Sequence, residues 1–349
     1  MIDDKLKKLL KKQHYFIVGE HSAVQICRWN KKSLTGEGCC YKEKFYGIKS
    51  HLCCQMTPSL WCPNKCLHCW RAIEYFNGNK IKGKINSASE IIDGCIKAQR
   101  KLLNGFGSNK KLNKEKFLES REPMNFAISL SGEPMIYNKI GELIFELRKR
   151  GKTSFLVSNG LYPEKIRELI KKKQLPTQLY ISVNTPNKEF YSKFHRSSMK
   201  NAWEKLNKSL ELMSKMTPNQ VPSRSERGLK KSVPPKFKVG GKTRTVVRIN
   251  LVKDLNMTEP ENYVKLIQKA KPMFIEIKGY VAVGYARERL GYDRMPWHKD
   301  IVDFSKKILK ELKRLNPKSK YKILGEHEFS KVVIMGKDKR EMKIKEKEI

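Results

Sequence analysis

Acidic residues are scarce in this sequence of 349 residues. Aspartate and glutamate together number 35, against 74 lysines and arginines, which gives a formal net charge of +39. Self-repulsion of this size destabilises a compact chain unless a polyanion offsets it. Adaptation to heat usually raises glutamate together with lysine, so it does not produce this imbalance. A generally lysine-rich proteome is the alternative that needs no ligand. We expect nucleic acid, bound through its phosphates, as a partner.

Long apolar segments are missing as well. The sequence contains no apolar run long enough to span a bilayer. Its first residues, Met1-Ile-Asp-Asp-Lys5, are charged and lack the apolar core of a signal peptide. We therefore expect a cytoplasmic protein. The nine cysteines of a large chain in that compartment indicate metal ligation rather than disulfide bonds.

A complete phosphate-binding loop is also absent. Gly151-Lys-Thr153 and Gly241-Lys-Thr243 resemble the ends of such loops. The glycine required five residues earlier is replaced by Glu146 in the first and by Lys236 in the second. Neither segment is therefore a nucleotide site.

Three of the cysteines lie in one short loop. Cys62, Cys66 and Cys69 have CxxxCxxC spacing, and soft thiolates at this spacing can converge on zinc or on an iron–sulfur cluster. A structural zinc needs a fourth protein ligand, for which His68 is the candidate. The spacing resembles that of radical S-adenosylmethionine (SAM) enzymes. That resemblance implies a [4Fe–4S] cluster whose open iron binds SAM and whose electron cleaves the sulfonium.

Five more cysteines lie just upstream of this loop. Cys27, Cys40 and Cys53 are evenly spaced, whereas zinc fingers pair their ligands closely. Beside a loop of the radical SAM kind, they suggest a second three-thiolate cluster with one open iron. Their neighbours Cys39 and Cys54 remain open as alternatives on spacing alone.

Apolar segments alternate between strand and helix patterns after the loop. Phe126–Leu130, Phe155–Ser158 and Leu179–Val183 have the composition of short buried strands, and helical patterns separate them. Such repeats predict a parallel sheet with helical crossovers. About six units predict an α/β fold, a partial (β/α)6 TIM-like barrel of the radical SAM type with an N-terminal cluster-binding extension. Chemistry is expected at the carboxyl ends of its strands.

We expect three segments along the chain. Residues 1–58 form an extension that carries the second set of cluster ligands, residues 59–336 form the radical SAM barrel, and residues 337–349 form a basic tail. Residues 215–242, rich in proline, glycine and basic residues, predict a flexible insertion. This insertion either contacts RNA or is a solvated loop, and the sequence does not separate the two.

Motifs along most of the chain resemble one family, the archaeal 4-demethylwyosine synthases, which are tRNA-modifying radical SAM enzymes. The matching segments run from about residue 15 to 336 and are specific as a joint set. They are Cys40–Ile48, Ser50–Cys53, Gln55–Pro58, Cys66–Arg71, Gly132–Pro134, Arg248–Lys253, Glu276–Tyr285, Arg287, Met295-Pro296 and His298. The doubled cysteines and the 215–242 insertion depart from the family pattern.

This resemblance implies a reaction. The substrate is N1-methylguanosine on the 3′ side of the anticodon in tRNA-Phe, and pyruvate is the co-substrate. A radical derived from SAM removes hydrogen from the N-methyl group, and the resulting carbon radical adds to the pyruvate carbonyl carbon. Loss of the pyruvate carboxyl carbon and ring closure give the tricyclic base. No flavodoxin-like module is visible in the sequence, so we expect an external electron donor of flavodoxin or ferredoxin type, and we expect a monomer.

The resemblance also implies roles for polar residues at strand ends. Glu133, in Gly-Glu-Pro, is expected to accept a hydrogen bond from the SAM amino group. Ser158, Asn159 and Asn184 are expected to bind the SAM ribose or carboxylate. Arg248 is expected to pair with the SAM carboxylate. As simpler alternatives, Glu133 is a turn carboxylate at the surface and Arg248 is one basic residue among many.

A lysine beside the second cluster is implied as the catalytic residue. Lys42, two residues after Cys40, matches the family's lysine and is expected to form a Schiff base with pyruvate, provided that it is deprotonated. Lys44 is the reserve, and both lysines alternatively contact phosphate. Arg71, Arg287 and Arg289 are expected near the RNA, and Trp70, Tyr280 and Tyr285 are expected to stack on a base unless they belong to the core.

Two other functions remain as alternatives. One is another radical SAM RNA-modifying enzyme, such as a methylthiotransferase, which also carries two three-cysteine clusters but lacks the Cys40-Tyr-Lys42 context. The other is a zinc-stabilised RNA-binding protein without chemistry.

Overall fold

The computed structural model describes Ile2 and residues 4–216 and 243–349. Within these residues ten strands form one sheet, in chain order except that the last two are exchanged at the edge. The strands are β1 (Phe16–Val18), β2 (Ser22–Gln25), β3 (Cys53–Thr57), β4 (Asn125–Ile128), β5 (Thr153–Ser158), β6 (Gln178–Ser182), β7 (Arg244–Leu251), β8 (Phe274–Gly279), β9 (Lys322–His327) and β10 (Val332–Gly336).

The middle of this sheet is parallel. Five parallel pairings join the neighbouring strands from β3 through β8, whereas β1, β2, β9 and β10 add antiparallel edges. This arrangement confirms the predicted α/β fold. The six parallel strands in sequence order are those that a partial (β/α)6 barrel requires. The last two strands, β9 and β10, form an antiparallel pair at the edge of the sheet.

Helices connect the parallel strands, as the alternating pattern predicts. The described helices are α1 (Asp4–Lys12), α2 (Arg28–Leu34), α3 (Tyr41–Tyr46), α4 (Ala88–Leu103), α5 (Lys114–Glu119), α6 (Ile140–Lys149), α7 (Pro163–Lys171), α8 (Lys188–His195), α9 (Ala202–Met216), α10 (Pro260–Ala270), α11 (Tyr285–Leu290) and α12 (His298–Leu315). Ser87 caps α4, because Ser87 and Glu90 form a reciprocal capping box.

The two faces of the parallel sheet have different cores. Leu156, Ile181 and Val247 lie on the outer face, in the large apolar cluster shared with the long helices. Phe155 and Tyr180, their neighbours in the strands, lie on the opposite face. Because side chains alternate along a strand, each strand supplies both faces, and we call the second one the inner face.

A short helix from the N-terminal extension covers part of the inner face. Tyr41, Phe45 and Tyr46 of α3 pack in one cluster with Phe155 and Tyr180. The extension is therefore integrated in the barrel: β3, which ends at residue 57, is the first of the six parallel strands. The boundary predicted at residue 58 does not separate two sheets.

The C-terminal tail also packs on this region. Arg244 of β7 is buried, and its guanidinium donates hydrogen bonds to the carbonyls of Glu341 and Met342. Ile344 donates its N–H to the Tyr46 carbonyl. Residues 217–242 of the predicted insertion lie outside the described residues. No helix in the described part of the chain has both the length and the apolar composition needed to cross a bilayer.

Candidate functional site

A cavity of about 340 Å³ lies where the cysteine loop meets the carboxyl ends of the parallel strands. Its wall includes all three cysteines of the loop and all five residues predicted to bind SAM. These residues are Cys62, Cys66, Cys69, Glu133, Ser158, Asn159, Asn184 and Arg248. The structure therefore places these residues around one cavity, although they are almost two hundred positions apart in sequence.

Arg289 of α11 fixes the backbone of the cysteine loop. Its guanidinium donates hydrogen bonds to the carbonyls of Leu67, Cys69 and Arg71. The prediction that Arg289 contacts RNA receives no support from this arrangement, because its donors are taken by the loop. With their backbone held from this side, the three cysteines direct their side chains to the cavity.

Burial dominates the electrostatics of the loop thiols. It raises the pKa of Cys62 and of Cys66, so both are thiols at neutral pH until a metal replaces their protons. Arg71 lies beside Cys62 and Cys69, where its positive charge stabilises thiolates. Three thiols and one nearby cation fit the ligand set of an iron–sulfur cluster. Within the described residues, no three His, Cys, Asp or Glu side chains already stand in metal-binding geometry.

The two histidines near the loop are packed within the protein. The His68 ring stacks on Phe194, with ring centroids 5.1 Å apart. His195, at the end of α8, has its Nδ1 3.0 Å from Cys66 Sγ. Burial lowers the pKa of His68 to about 4 and that of His195 to about 3. Both rings are therefore neutral at physiological pH.

Glu133 is the buried carboxylate of the cavity. Its oxygens accept hydrogen bonds from Ser158 Oγ at 2.9 Å, from the Asn159 N–H at 2.7 Å and from the Met135 N–H at 3.0 Å. Burial raises its pKa to about 7. The prediction of a surface turn carboxylate is thus wrong, since Glu133 is 2% exposed. Asn159 also points its Nδ2 at Cys62 Sγ, 3.8 Å away.

Asn184 lies two residues beyond the end of β6, and Arg248 lies in the interior of β7. Asn184 Oδ1 accepts the N–H of Asn250 at 3.0 Å. Arg248 pairs within the protein: its Nε and one terminal nitrogen donate to Glu276 Oε2 at 3.0 and 2.7 Å, and the same terminal nitrogen donates to Tyr41 OH at 2.8 Å. Its predicted pairing with the SAM carboxylate stays a prediction, and the structure adds an internal carboxylate that the sequence did not predict.

The predicted second cysteine set is gathered on the inner side of the extension. Cys27 and Cys40 precede α2 and α3, and each thiol accepts the N–H two residues on, at 3.3 Å from Trp29 and 3.5 Å from Lys42. Cys53 begins β3. The Cys40 thiol interacts electrostatically with both Cys27 and Cys53, so the three are neighbours in space.

The alternative ligands, Cys39 and Cys54, lie away from the three neighbouring thiols. Cys54 is fully buried in the outer-face core and interacts with Cys95 of α4. Since successive strand residues face opposite sides of a sheet, Cys53 and Cys54 cannot serve the same site. Cys39 lies among Glu43, Lys44 and Lys116 rather than beside the other thiols. The geometry therefore favours Cys40 and Cys53 over their neighbours.

Lys42 projects from α3 onto the inner face. It is 6% exposed, and its Nζ lies 4.5 Å from the centroid of the Phe155 ring and 5.5 Å from that of Tyr180. It forms no ion pair with any described residue. Burial, and then the nearby Arg248, lowers the pKa of Lys42. Lys44, two residues further along the same short helix, is exposed.

Two charged residues of β8 were missed by the sequence analysis. Glu276 is fully buried and Lys278 lines the cavity. The sequence contains a pattern that predicts them, because Glu276 and Lys278 alternate with the apolar Ile275 and Ile277 in an otherwise apolar strand. Charged residues at every second position of a buried strand indicate a polar inner face.

The aromatic residues predicted to stack on RNA are half-buried or buried. Tyr280 lies in the cavity wall at 1% exposure, and its hydroxyl donates to the Ala286 carbonyl at 2.9 Å, which favours the alternative that it belongs to the core. Trp70 stacks on Tyr15 at a centroid distance of 6.0 Å. Exposed large aromatics on the chain after β8 include Tyr292, Trp297 and Phe329, exposed by 60%, 69% and 89%.

Two family models match the chain. Residues 56–223 match the radical SAM superfamily, and residues 269–337 match the family described as wyosine base formation. The first range contains the Cys62–Cys69 loop and the strand ends at Glu133, Ser158 and Asn184. The second contains Glu276 and Lys278.

Relatives of known function and solved structures agree with these matches. A tRNA 4-demethylwyosine synthase of Pyrococcus abyssi, dependent on S-adenosyl-L-methionine, is 45% identical over 96% of this chain and 89% of its own. A structure described as TYW1 with a lysine–pyruvate adduct bound superimposes with a TM-score of 0.78 at 31% identity over 99% of both chains. A crystal structure of archaeal TYW1 gives a TM-score of 0.70 at 29% identity over 97% of both chains.

Proposed function

The chain belongs to the family of S-adenosyl-L-methionine-dependent tRNA 4-demethylwyosine synthases, and from this premise we propose its co-substrate and its target base. The family is one of radical SAM enzymes that act on tRNA, so this chain binds SAM and a [4Fe–4S] cluster. We propose that the co-substrate is pyruvate and that the target is N1-methylguanosine on the 3′ side of the anticodon in tRNA-Phe. The product is the tricyclic 4-demethylwyosine base.

One observation carries the choice of pyruvate. The Lys42 amine is buried, unpaired within the described residues, and adjacent to the second cysteine set. An amine in such surroundings suits attack on a ketone. A solved structure similar to this chain holds a lysine–pyruvate adduct by its description, and we propose that Lys42 is the equivalent nucleophile here.

The first cysteine set and the strand ends would hold the radical-generating group. Cys62, Cys66 and Cys69 are proposed as ligands of the [4Fe–4S] cluster, which supplies the electron that cleaves SAM when both are bound. Glu133 faces the same cavity and is proposed to accept from the SAM amino group. Ser158 and Asn159 hold Glu133 in place by hydrogen bonds. Asn184 and Arg248 complete the proposed SAM-binding set from the neighbouring strands.

The second cysteine set would hold a second cluster. Cys27, Cys40 and Cys53 are proposed as its three ligands, since their thiols are neighbours and sit next to Lys42. An open iron there would bind a carboxylate oxygen of pyruvate and, until the imine forms, its carbonyl oxygen. The two proposed cluster sites face a shared interior, because Arg248 lines the first cavity and contacts Tyr41, the neighbour of Lys42.

The step assigned to Lys42 is imine formation. Its unprotonated nitrogen bonds to the carbonyl carbon of pyruvate, and the carbonyl oxygen leaves as water together with the two amine hydrogens. The buried site excludes bulk water and so disfavours hydrolysis of the imine. Phe155 and Tyr180 restrict the position of the lysine side chain.

The remaining parts of the proposal concern organisation. Residues 1–58 carry the pyruvate-binding half, residues 59–336 the SAM-binding half, and residues 337–349 a basic tail. We propose that the enzyme acts as a monomer in the cytoplasm and receives electrons from a separate flavodoxin or ferredoxin. Its high positive charge suits a tRNA substrate.

Anaerobic turnover tests this function. Reconstituted protein is incubated with SAM, a reductant and N1-methylated tRNA, with and without pyruvate, and the modified base is identified by its mass. We expect 4-demethylwyosine only when pyruvate is present. Product formed without pyruvate, as a methylthiotransferase would give, contradicts the proposal. Absence of SAM cleavage in protein that carries zinc would indicate the RNA-binding alternative instead.

A further inference from the structure

Lys278 occupies the junction between the two halves of the proposed active site. It is the penultimate residue of β8, on the strand face that also carries Glu276, and it lines the cavity that holds Cys62, Cys66 and Cys69. Its Nζ lies 5.6 Å from the centroid of the Tyr41 ring. Tyr41 is flanked by Cys40 and Lys42, so Lys278 borders both the SAM cavity and the second cysteine set.

The ammonium group of Lys278 lacks an anionic partner in the part of the chain that the structure describes. No carboxylate there forms an ion pair with it, and no acceptor takes a hydrogen bond from its Nζ. The closest candidate, Glu276, is occupied: Oε2 accepts two hydrogen bonds from Arg248, and Oε1 accepts one from Tyr46 OH. A cation that is largely withdrawn from water without a counter-ion is unfavourable.

The inner face carries more basic groups than acidic groups around Lys278. Lys42, Arg248 and Lys278 contribute three basic groups, and Glu276 contributes the carboxylate that neutralises one of them. The Arg248 guanidinium binds that carboxylate through two hydrogen bonds. Lys42 is assigned to imine formation and is uncharged when it reacts. Lys278 is then the basic group that remains available to a bound anion.

We propose that Lys278 binds the carboxylate of the α-keto acid whose carbonyl carbon Lys42 attacks. This inference rests on the proposed function. In an α-keto acid the carboxylate is attached directly to the carbonyl carbon. Two basic side chains on one inner face can therefore contact the two groups separately. Lys42 forms the covalent bond, and Lys278 provides a charge-assisted hydrogen bond that orients the substrate. A carboxylate has two oxygens, so binding to Lys278 is compatible with an iron ligand at the other one.

SAM also carries a carboxylate, and Lys278 lines the SAM cavity. The experiment must therefore distinguish binding of the SAM carboxylate from binding of the keto-acid carboxylate. Its contact with the Tyr41 ring and its closeness to Cys40 and Lys42 favour the keto acid, because these groups belong to the second cysteine set. The role assigned to Lys278 is selection of a substrate with a carboxylate over a ketone without one.

The experiment compares pyruvate with methyl pyruvate, its uncharged ester, in two proteins. Reconstituted wild type and Lys278→Gln are titrated with each compound without SAM or tRNA, reduced with borohydride, and assayed for the adduct by intact mass and peptide mapping. Wild type should trap pyruvate at a concentration at least tenfold lower than the ester. In Lys278→Gln the preference for pyruvate should shrink to the part that the iron ligand contributes, with the adduct still on Lys42.

Controls keep the result interpretable. Lys278→Arg should regain part of the preference for pyruvate, whereas Lys306→Gln, an exposed lysine on α12, should behave as wild type. Iron content and circular dichroism establish that the variants are folded. If a variant fails to fold, the comparison of the two compounds in wild type still decides, because equal trapping of both overturns the proposal.

The remaining outcomes are also decisive. An unchanged preference in Lys278→Gln overturns the inference. A rise in the KM for SAM in that variant, measured by uncoupled SAM cleavage, with unchanged pyruvate trapping assigns Lys278 to the SAM carboxylate and also overturns it. If the wild type neither traps pyruvate nor needs it to form product, the proposed function itself is wrong. That result differs from the two above, which overturn only the role of Lys278.

Discussion

Arg248 and Glu276 face each other across β7 and β8 as directly paired residues of the parallel ladder. Both hydrogen bonds from the Arg248 guanidinium end on one oxygen of the Glu276 carboxylate, at 3.0 and 2.7 Å. The other oxygen accepts from Tyr46 of α3. This ion pair ties the barrel to the extension that carries the second cysteine set.

Loss of the Glu276 charge should therefore destabilise the protein. Glu276→Gln leaves the Arg248 guanidinium buried without its counter-ion, and we expect the free energy of unfolding to fall by about 3 kcal/mol. Urea titrations followed by tryptophan fluorescence measure it. The matched control is Glu189→Gln, which breaks the exposed pair with Lys193 on α8 and should leave stability unchanged. Equal stability of Glu276→Gln and its parent would show that the pair is not energetically coupled to the fold.

The two adjacent cysteines of β3 should behave differently. Cys53→Ala removes a proposed ligand of the second cluster, so the iron content should fall from about eight to about four per chain. Product should be abolished while SAM cleavage remains. Cys54→Ala, which removes a thiol of the outer core, should keep the iron and the activity. Complete loss of SAM cleavage in Cys53→Ala with the first cluster intact would contradict this division of labour.

The lysines of α3 give a second matched pair. Lys42→Ala should abolish the borohydride-trapped pyruvate adduct, because Lys42 is buried beside Cys40 and Cys53. Lys44→Ala should trap as wild type does, since Lys44 is exposed. Intact mass spectrometry after reduction reads out both variants. An adduct that persists in Lys42→Ala would place the nucleophile elsewhere.

Binding of SAM should depend on pH through Glu133. Burial raises the pKa of this carboxyl to about 7, so below that pH it is mainly neutral and cannot pair with the SAM ammonium group. SAM affinity should therefore rise with pH, by at most about tenfold per unit below the pKa, and level off above it. Arg71 stays charged throughout this range, and His195 stays neutral because its pKa is lowered to about 3.

Calorimetry across this range measures the dependence. Glu133→Gln should bind SAM weakly and without the rise. Glu164→Gln, an exposed position on α7, should retain it. A flat profile in wild type would mean that Glu133 does not contact the ammonium group.

The sequence predicted the parallel part of the fold closely. The strand expected at 155–158 lies within β5, Thr153–Ser158, and the strand expected at 179–183 runs from Gln178 to Ser182. These elements are short segments, and the spacing of their apolar residues identifies them. Their order also predicted that Glu133, Ser158 and Asn184 meet at one edge, because parallel strands in sequence order bring their carboxyl ends together.

Contacts between distant segments could not be predicted in the same way. The pairing of Arg248 with Glu276 depends on the register of two strands, which local patterns do not specify. The placement of α3 on the inner face depends on tertiary packing of Tyr41, Phe45 and Tyr46 against strands more than a hundred residues away. Tyr280 was predicted to stack on RNA because aromatic residues suit both that role and the core, and its burial favours the core.

Isotope labelling of the co-substrate tests the central claim most directly. Pyruvate labelled with ¹³C at its carbonyl and methyl carbons is supplied to the reconstituted enzyme with SAM and N1-methylated tRNA-Phe, and the product base is analysed by mass spectrometry. We predict a base that carries both labelled carbons, and an unlabelled base from pyruvate labelled only at its carboxyl carbon. A product base without label from the first substrate would contradict the claim that this chain builds the third ring from pyruvate.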